Sequence, residues 1–347
     1  MSTIDLPLLP LGKGRDLDAE RGVECPGDLP AASDPDLVER ARAAKAALGD
    51  RLFVLGHHYQ RDEVIQFADV TGDSFKLARD AAARPEAEFI VFCGVHFMAE
   101  SADILTGSHQ QVVLPDLAAG CSMADMARLA QVALRWAFDR VGGVDGDGKV
   151  LFMPDQHLGR NTAVLQLGLA LEDCVVYDPR RPGGGLTRHE LDSARMILWR
   201  GHCSVHGRFS ARNVSDVRER VPGVTVLVHP ECTHEVVTAA DMVGSTEYIV
   251  RALDAAEPGS AWAIGTELNL VRRLAAQHPE LEVHYLDSTV CFCSTMNRID
   301  LPHLVWALEN LVAGTVVNQI TVDRETEADA LVALQRMLDL PGKSHRD

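Results

Sequence analysis

Apolar residues along this chain alternate between two patterns. Short unbroken runs such as "RLFVLG" (51–56), "EFIVFCG" (88–94) and "QQVVLPD" (110–116) read as buried strands. Between them the apolar positions take helical spacing. One helix is predicted over "DPDLVERARAAKAALG", with Asp34 or Asp36 able to cap its start and Gly49 to end it, and another from about Asp62. The plan returns later in the chain, where "VTVLVHPE" (224–231), "AWAIGTE" (261–267) and "LEVHYLD" (281–287) are strands separated by helical sequence. Alternating strands and helices predict an α/β protein with parallel sheets and helices packed on both faces. In such sheets ligands collect at the carboxyl ends of the strands.

The two halves of this pattern are copies. "GHHYQRDEVIQFADVTGDS" (56–74) aligns without gaps on "VHPECTHEVVTAADMVGST" (228–246), so His57 matches His229, Asp69 matches Asp241 and Gly72 matches Gly244, each 172 positions apart. The same offset relates Leu114 to Leu286, Cys121 to Cys293 and Ser122 to Ser294. A middle unit lies between the copies. It opens with helical "MADMARLAQVALRWAFDRV", breaks at "GGVDGDG", and continues through "KVLFMPD" and "VVYDPRRPGGG" to "ILWRGHCSVH". "KVLFMPD" resembles the third strand of the outer units, so the middle unit is expected to lack the first two of their three strand ends. The expected division is an extended arm over 1–34, a first αβα domain over 35–121 completed by C-terminal helices over 300–340, a shortened middle domain over 122–203, and a third αβα domain over 204–299.

Composition narrows the function. With 46% hydrophobic and 24% charged residues the chain reads as globular, and its net charge of −17 argues against general binding to nucleic acid or acidic membranes. A small anionic substrate stays compatible with it. No basic start followed by an apolar stretch marks the N-terminus and no run is long enough to cross a bilayer, so the cytoplasm is expected. Eight cysteines in that setting are reduced thiols, metal ligands or core residues rather than disulfides.

Cys121, Cys203 and Cys293 carry the most information. Two are repeat-equivalent, and the third ends the middle unit after a comparable strand. Three like units about an axis would bring the thiols to one point, a set that suits an iron–sulfur cluster with one iron left open as a Lewis acid. The plain alternative is a small core residue at each position. A structural zinc site usually draws on closely spaced cysteine pairs, which this spacing lacks. Cys291 reads as a spectator or alternative ligand, and Cys25, Cys93, Cys174 and Cys232 as incidental or core thiols. His57, Tyr59, His229 and Glu231 sit at strand ends, where imidazole and carboxylate can move protons and a phenol can donate to an oxyanion. "GDS" (72–74) and "GST" (244–246) precede helices, where free amides bind phosphate or carboxylate, although ordinary capping needs the same residues. Arg160 and Asn161 of "LGRNT" could also serve an anion.

"GHHYQ", "ADVTGDS", "FCGVHFMAESADIL", "LPDLAAGCSMADM", "MPDQHLGRN", "WRGHCSVH", "HPEC", "ADMVGST", "GTELNLV" and "CSTM", in this order over about residues 36–320, together resemble the quinolinate synthase family. The resemblance implies three pseudo-symmetric αβα domains around a central [4Fe-4S] cluster. It implies a transferase that condenses iminoaspartate with dihydroxyacetone phosphate to quinolinate, losing phosphate and water, on the route to NAD. Its iminoaspartate would come from an L-aspartate oxidase or dehydrogenase. By motif, Cys121, Cys203 and Cys293 would ligate the cluster, and His57 and Tyr59 would hold and polarise substrate. Ser74, Ser245 and Thr246 would bind its carboxylate or phosphate groups. His229 would touch substrate, and Glu231 would be the proton-moving base. The family also carries two strands before "FMPD", ending in Tyr-or-Met-x-Asn-Ser/Thr and Thr-Ser-x-Asn, whose turns help bind substrate. Here "FDRVGGVDGDGKVLFMPD" (138–155) runs across that gap. A smaller middle domain with exposed apolar surface and impaired turnover is therefore expected; the alternative is a non-catalytic iron–sulfur protein whose cluster serves structure or redox sensing.

Overall fold

The structure, a computed structural model, describes residues 29–120, 127–287 and 292–339. The arm expected over 1–34 lies almost entirely outside the described residues, as do Cys121 and Cys291. Among the described residues the strands form three sheets flanked by helices, and all but one of the strand pairings are parallel.

The first unit runs α1 (Leu37–Leu48), β1 (Leu52–His57), α2 (Asp62–Ile65), β2 (Val70–Gly72), α3 (Ser74–Ala82), β3 (Phe89–Cys93), α4 (His96–Leu105) and β4 (Gln111–Val113). Every residue of β1 and β3 is buried, as expected for strands covered on both faces. The middle unit runs α5 (Ala127–Asp139), β5 (Val150–Phe152), α6 (Gln156–Asn161), β6 (Cys174–Tyr177), α7 (Arg188–Ser193) and β7 (Met196–Trp199), with strand order β5-β7-β6. The third runs α8 (Ala211–Arg220), β8 (Thr225–Val228), α9 (His234–Ala239), β9 (Met242–Val243), α10 (Thr246–Asp254), β10 (Ala261–Gly265), α11 (Leu268–Gln277) and β11 (Glu282–Tyr285), in the order β11-β10-β8-β9. The chain then returns to the first unit. There α12 (Leu301–Val312) packs on α1, β12 (Gln319–Ile320) pairs antiparallel with β4, and α13 (Arg324–Asp339) packs on α4. A two-pronged pair joins α1 to α12, with Arg40 Nε and Nη2 donating to the two Glu309 carboxylate oxygens at 2.8 and 2.7 Å.

The sequence repeat is also a structural one. Asp69 Oδ2 accepts the Val54 amide at 2.8 Å, and its repeat partner Asp241 accepts the Val226 amide at the same distance. Each aspartate thus ties the entry of a short edge strand to the central strand beside it. Those edge strands, β2 and β9, are three and two residues long, too short for an apolar period to reveal. One hydrophobic cluster holds Leu55, Ile90 and Phe92 of the first sheet together with Leu227, Ile249, Ile264 and Leu274 of the third unit and Leu304 of α12. At about 1.5–3 kcal/mol per fully buried aliphatic or aromatic side chain, this shared packing docks the first and third sheets on each other. The middle sheet has a smaller cluster of its own around Phe138, Met196 and Leu198.

The middle unit corrects one expectation. "KVLFMPD" forms β5, but the strand that leads to Cys203 is β7, which pairs with β5 on one side. In the third unit β10 holds the same place beside β11, so β5 corresponds to β10, the second strand end rather than the third. Among the described residues no strand takes the place that β8 holds beside β10, and none that of its short edge strand β9. No described strand pairs with the other side of β5, and Leu151 and Met153 are 54% and 53% exposed.

Candidate active site

The loops after β1 and β8 are built alike. The Tyr59 amide donates to Nδ1 of His57 at 3.1 Å, and the Glu231 amide donates to Nδ1 of His229 at 3.3 Å. An imidazole whose Nδ1 accepts a backbone proton carries its own proton on Nε2 when neutral, so both rings present a donor. Both histidines are fully buried at the strand ends. The first loop is held from outside its own unit. Arg273 of α11 donates to the carbonyls of His58 and Gln60 at 2.9 and 2.6 Å and to Asp62 at 2.7 Å, while Asn269 donates to the Tyr59 carbonyl at 3.1 Å. Contacts from the third unit therefore set the backbone that aims Tyr59.

A continuous hydrogen-bonded chain joins the first unit to the third. The Tyr59 hydroxyl lies 2.9 Å from the hydroxyls of both Thr246 and Thr266. Thr266 is in turn 3.3 Å from Nε2 of His206, whose Nδ1 is 2.9 Å from Oε2 of Glu231. His206 stacks on His229 with ring centroids 4.2 Å apart and planes inclined by 13°. His57 meets the Tyr59 ring edge-on at 4.8 Å. Tyr59, Thr246, Thr266, His206, His229 and Glu231 are all buried, which strengthens each polar contact and makes any broken one costly. Oε1 of Glu231 and the Ser74 hydroxyl are also buried and accept or donate no hydrogen bond among the described residues. Two polar atoms left in this state point to a ligand or water at the site.

Cys203 joins this group: its sulfur, a His206 nitrogen and a Glu231 oxygen all lie within 4.8 Å of one another. Burial, reinforced by Glu231, pushes the Cys203 thiol up to about 12, and burial also raises Cys293, which feels the charge of Cys203. Each cysteine sits on a buried carboxylate at a strand end. Asp155 accepts the Cys203 amide at 3.1 Å and Glu267 accepts the Cys293 amide at 3.3 Å. Burial, with Glu231 adding to it, lifts Asp155 to about 7; burial lifts Glu267 to about 7 against the amides that it accepts. Burial, aided by Arg160, pulls His157 down to about 4.

Of the residues singled out in the sequence, His57, Tyr59, Cys203, His229, Glu231 and Thr246 converge here. Cys293 is tied to the Thr295 hydroxyl at 3.1 Å, and Cys121 lies outside the described residues. Ser74 opens α3 behind Asp73, which caps that helix by accepting the Lys76 amide. Ser245 caps α10, accepting the Tyr248 amide at 3.3 Å. Asn161 is a strut rather than an open donor, since its amide bonds the Pro230 and Cys232 carbonyls and its oxygen takes Nδ1 of His234. His206, Thr266, Asp155 and Glu267 were not singled out. Asp155 and Glu267 end the strand motifs "MPD" and "GTE", and His206 follows Cys203 by three positions. Thr266 gives no signal of its own, because its role depends on partners 207 and 60 residues away in the chain.

The model of the family described as quinolinate synthetase A protein matches residues 39–140 and 136–339. This chain belongs to the quinolinate synthetase A family. A protein named quinolinate synthase from a Nocardioides species is 66% identical over 394 aligned positions covering 100% of both chains. One of the same name from Streptomyces coelicolor is 66% identical over 97% of this chain and 96% of its own. A third, from Geobacillus thermodenitrificans, is 50% identical over 88% and 94%. The 394 aligned positions exceed the 347 residues of this chain by 47, and the two segments of the family match meet with an overlap at 136–140, ahead of β5.

Proposed function

We propose that this member of the quinolinate synthetase A family is a quinolinate synthase, condensing iminoaspartate with dihydroxyacetone phosphate to quinolinate with loss of phosphate and water, in the cytoplasmic route to NAD. The observation that carries the reading, beside family membership, is the buried chain from Tyr59 through Thr266 and His206 to Glu231, beside Cys203. Glu231 is the base: one oxygen is held by His206 and the other has no partner among the described residues, so it can take a proton from substrate carbon or nitrogen. His206 steadies that carboxylate. The Tyr59 hydroxyl, fixed by two threonines, and the Nε2 donors of His57 and His229 polarise substrate oxygens. Ser74, Ser245 and Thr246, at the starts of α3 and α10, receive its carboxylate or phosphate groups.

The donor set fits an iron–sulfur cluster. Two half-buried thiols within electrostatic reach of each other resist ionisation where no cation lies near them, and a cationic iron centre reverses that penalty. Cys203 and Cys293 with Cys121 would hold a [4Fe-4S] cluster, which when bound supplies a Lewis-acidic iron for the departing hydroxyl. Iminoaspartate would be delivered by an L-aspartate oxidase or dehydrogenase.

The test is quinolinate formation by protein purified without oxygen and loaded with iron and sulfide. Quinolinate at catalytic turnover supports the reading, and Cys203→Ser should abolish it together with the bound iron. Loaded protein that forms no quinolinate would overturn the enzymatic reading and favour a cluster with a structural or redox-sensing role.

A further inference from the structure

Cys203 and Cys293 rest on the same device, although their units differ in size. Asp155 follows β5 and caps α6: Oδ1 accepts the His157 and Leu158 amides, both at 2.7 Å, while Oδ2 accepts the Cys203 amide at 3.1 Å. Glu267 follows β10 and caps α11: Oε2 accepts the Asn269 and Leu270 amides at 2.7 and 3.3 Å, while Oε1 accepts the Cys293 amide at 3.3 Å. Both carboxylates are fully buried. In the first unit the position equivalent to Glu267 is His96, whose amide donates to the Ala119 carbonyl instead, so the carboxylate belongs to two of the three units.

We propose that Asp155 and Glu267 are positioning residues for the metal centre, each locking the backbone of one ligand cysteine to the end of the strand before it. The inference rests on the cluster reading above. A carboxylate suits the task because it is an acceptor on both sides: one oxygen caps the helix while the other takes the cysteine amide. The link spans 48 residues for Asp155 and 26 for Glu267, so a helix start and a cysteine loop far apart in the chain become one rigid corner. Neither side chain reaches the metal in this role. Each acts on the thiolate through the backbone, and each, once ionised, adds negative charge close to the ligands. Asn or Gln keeps the shape but turns an N–H donor toward the cysteine amide, or gives up the helix cap.

The experiment uses full-length wild type, Asp155→Asn and Glu267→Gln, each loaded anaerobically with iron and sulfide. The readouts are loss of cluster absorbance under a chelator, the reduction potential and the electron-paramagnetic spectrum. Each variant is expected to lose its cluster about tenfold faster than wild type, the ratio that corresponds to one charge-assisted hydrogen bond. Each should also show a more positive potential, which a purely structural loss of packing would not produce. Hydrogen exchange in the wild-type apoprotein removes dependence on the variants, since the Cys203 and Cys293 amides should be protected before any metal is added. Unchanged loss rates and potentials in both variants would overturn the proposal, as would unprotected amides in wild type. Wild type that takes up no iron and sulfide sinks the cluster reading, and this inference with it; wild type that loads normally beside unaltered variants sinks this inference alone.

Discussion

Thr266→Val is the sharpest probe of the chain that joins the first unit to the third. Valine matches threonine in shape, so the substitution opens no cavity and removes one hydroxyl that bonds Tyr59 at 2.9 Å and His206 at 3.3 Å. Tyr59 keeps Thr246, so its loss is one ordinary hydrogen bond, about 1 kcal/mol. His206 is buried, and its Nε2 is left facing a methyl group, a penalty of about 1–2 kcal/mol. Together these predict a loss of about 2–3 kcal/mol in equilibrium denaturation of the apoprotein. Thr266→Ser keeps the hydroxyl and should stay within about 1 kcal/mol of wild type. A cycle with Tyr59→Phe should give a coupling of about 1 kcal/mol, because the two hydroxyls share one bond. If Thr266→Val stays within about 0.5 kcal/mol of wild type, or adds independently to Tyr59→Phe, the hydroxyl does not link these residues in solution and the chain is broken at its centre.

Three further outcomes follow from the same geometry. Glu231→Gln should lower kcat for quinolinate formation by about 10²–10⁴, the usual reach of a positioned base, and a loss below tenfold would remove Glu231 from that role. Burial lifts Asp155 and Glu267 to about 7, far above ordinary carboxylates, so the folded apoprotein holds protons that the unfolded chain releases near pH 4. Stability from these two groups is therefore fully present below about pH 4 and is lost as pH rises to about 7, giving a falling denaturation midpoint between pH 5 and 7 that Asp155→Asn and Glu267→Gln flatten. Gly56→Ala should lower the melting temperature, because a methyl there would lie 2.5 Å from Ile65 Cδ1 and 2.8 Å from Ala68 Cβ; the overpacking costs about 1–3 kcal/mol, and an unchanged melt would show that α2 yields freely.

Much of the architecture is legible in local pattern. Unbroken apolar runs mark β1, β3, β8 and β10 because strands buried on both faces need apolar side chains at every position. The 172-residue offset marks the repeat because equal backbones need equal caps and turns, and the bonds of Asp69 and Asp241 are its visible consequence. The motif order likewise carries the family on its own. Local pattern fails where an element is short or where a partner comes from elsewhere. The edge strands β2 and β9 have too few residues for a period, and "KVLFMPD" looks like a final strand until its pairing with β7 gives it the place of β10.

The candidate site divides along the same line. His57, Tyr59, His229, Glu231 and the cysteines can be picked out because strand ends and repeat equivalence are properties of the chain itself. That His206 steadies Glu231, that Thr266 ties it to Tyr59, and that Asp155 and Glu267 hold two cysteine amides was decided only when the sheets docked. Tyr59 and Thr266 are 207 residues apart, and no local rule relates them. What brings them to 2.9 Å is the burial of apolar surface between the first and third sheets, an interaction without direction that nonetheless fixes where every polar group at its edge must find a partner.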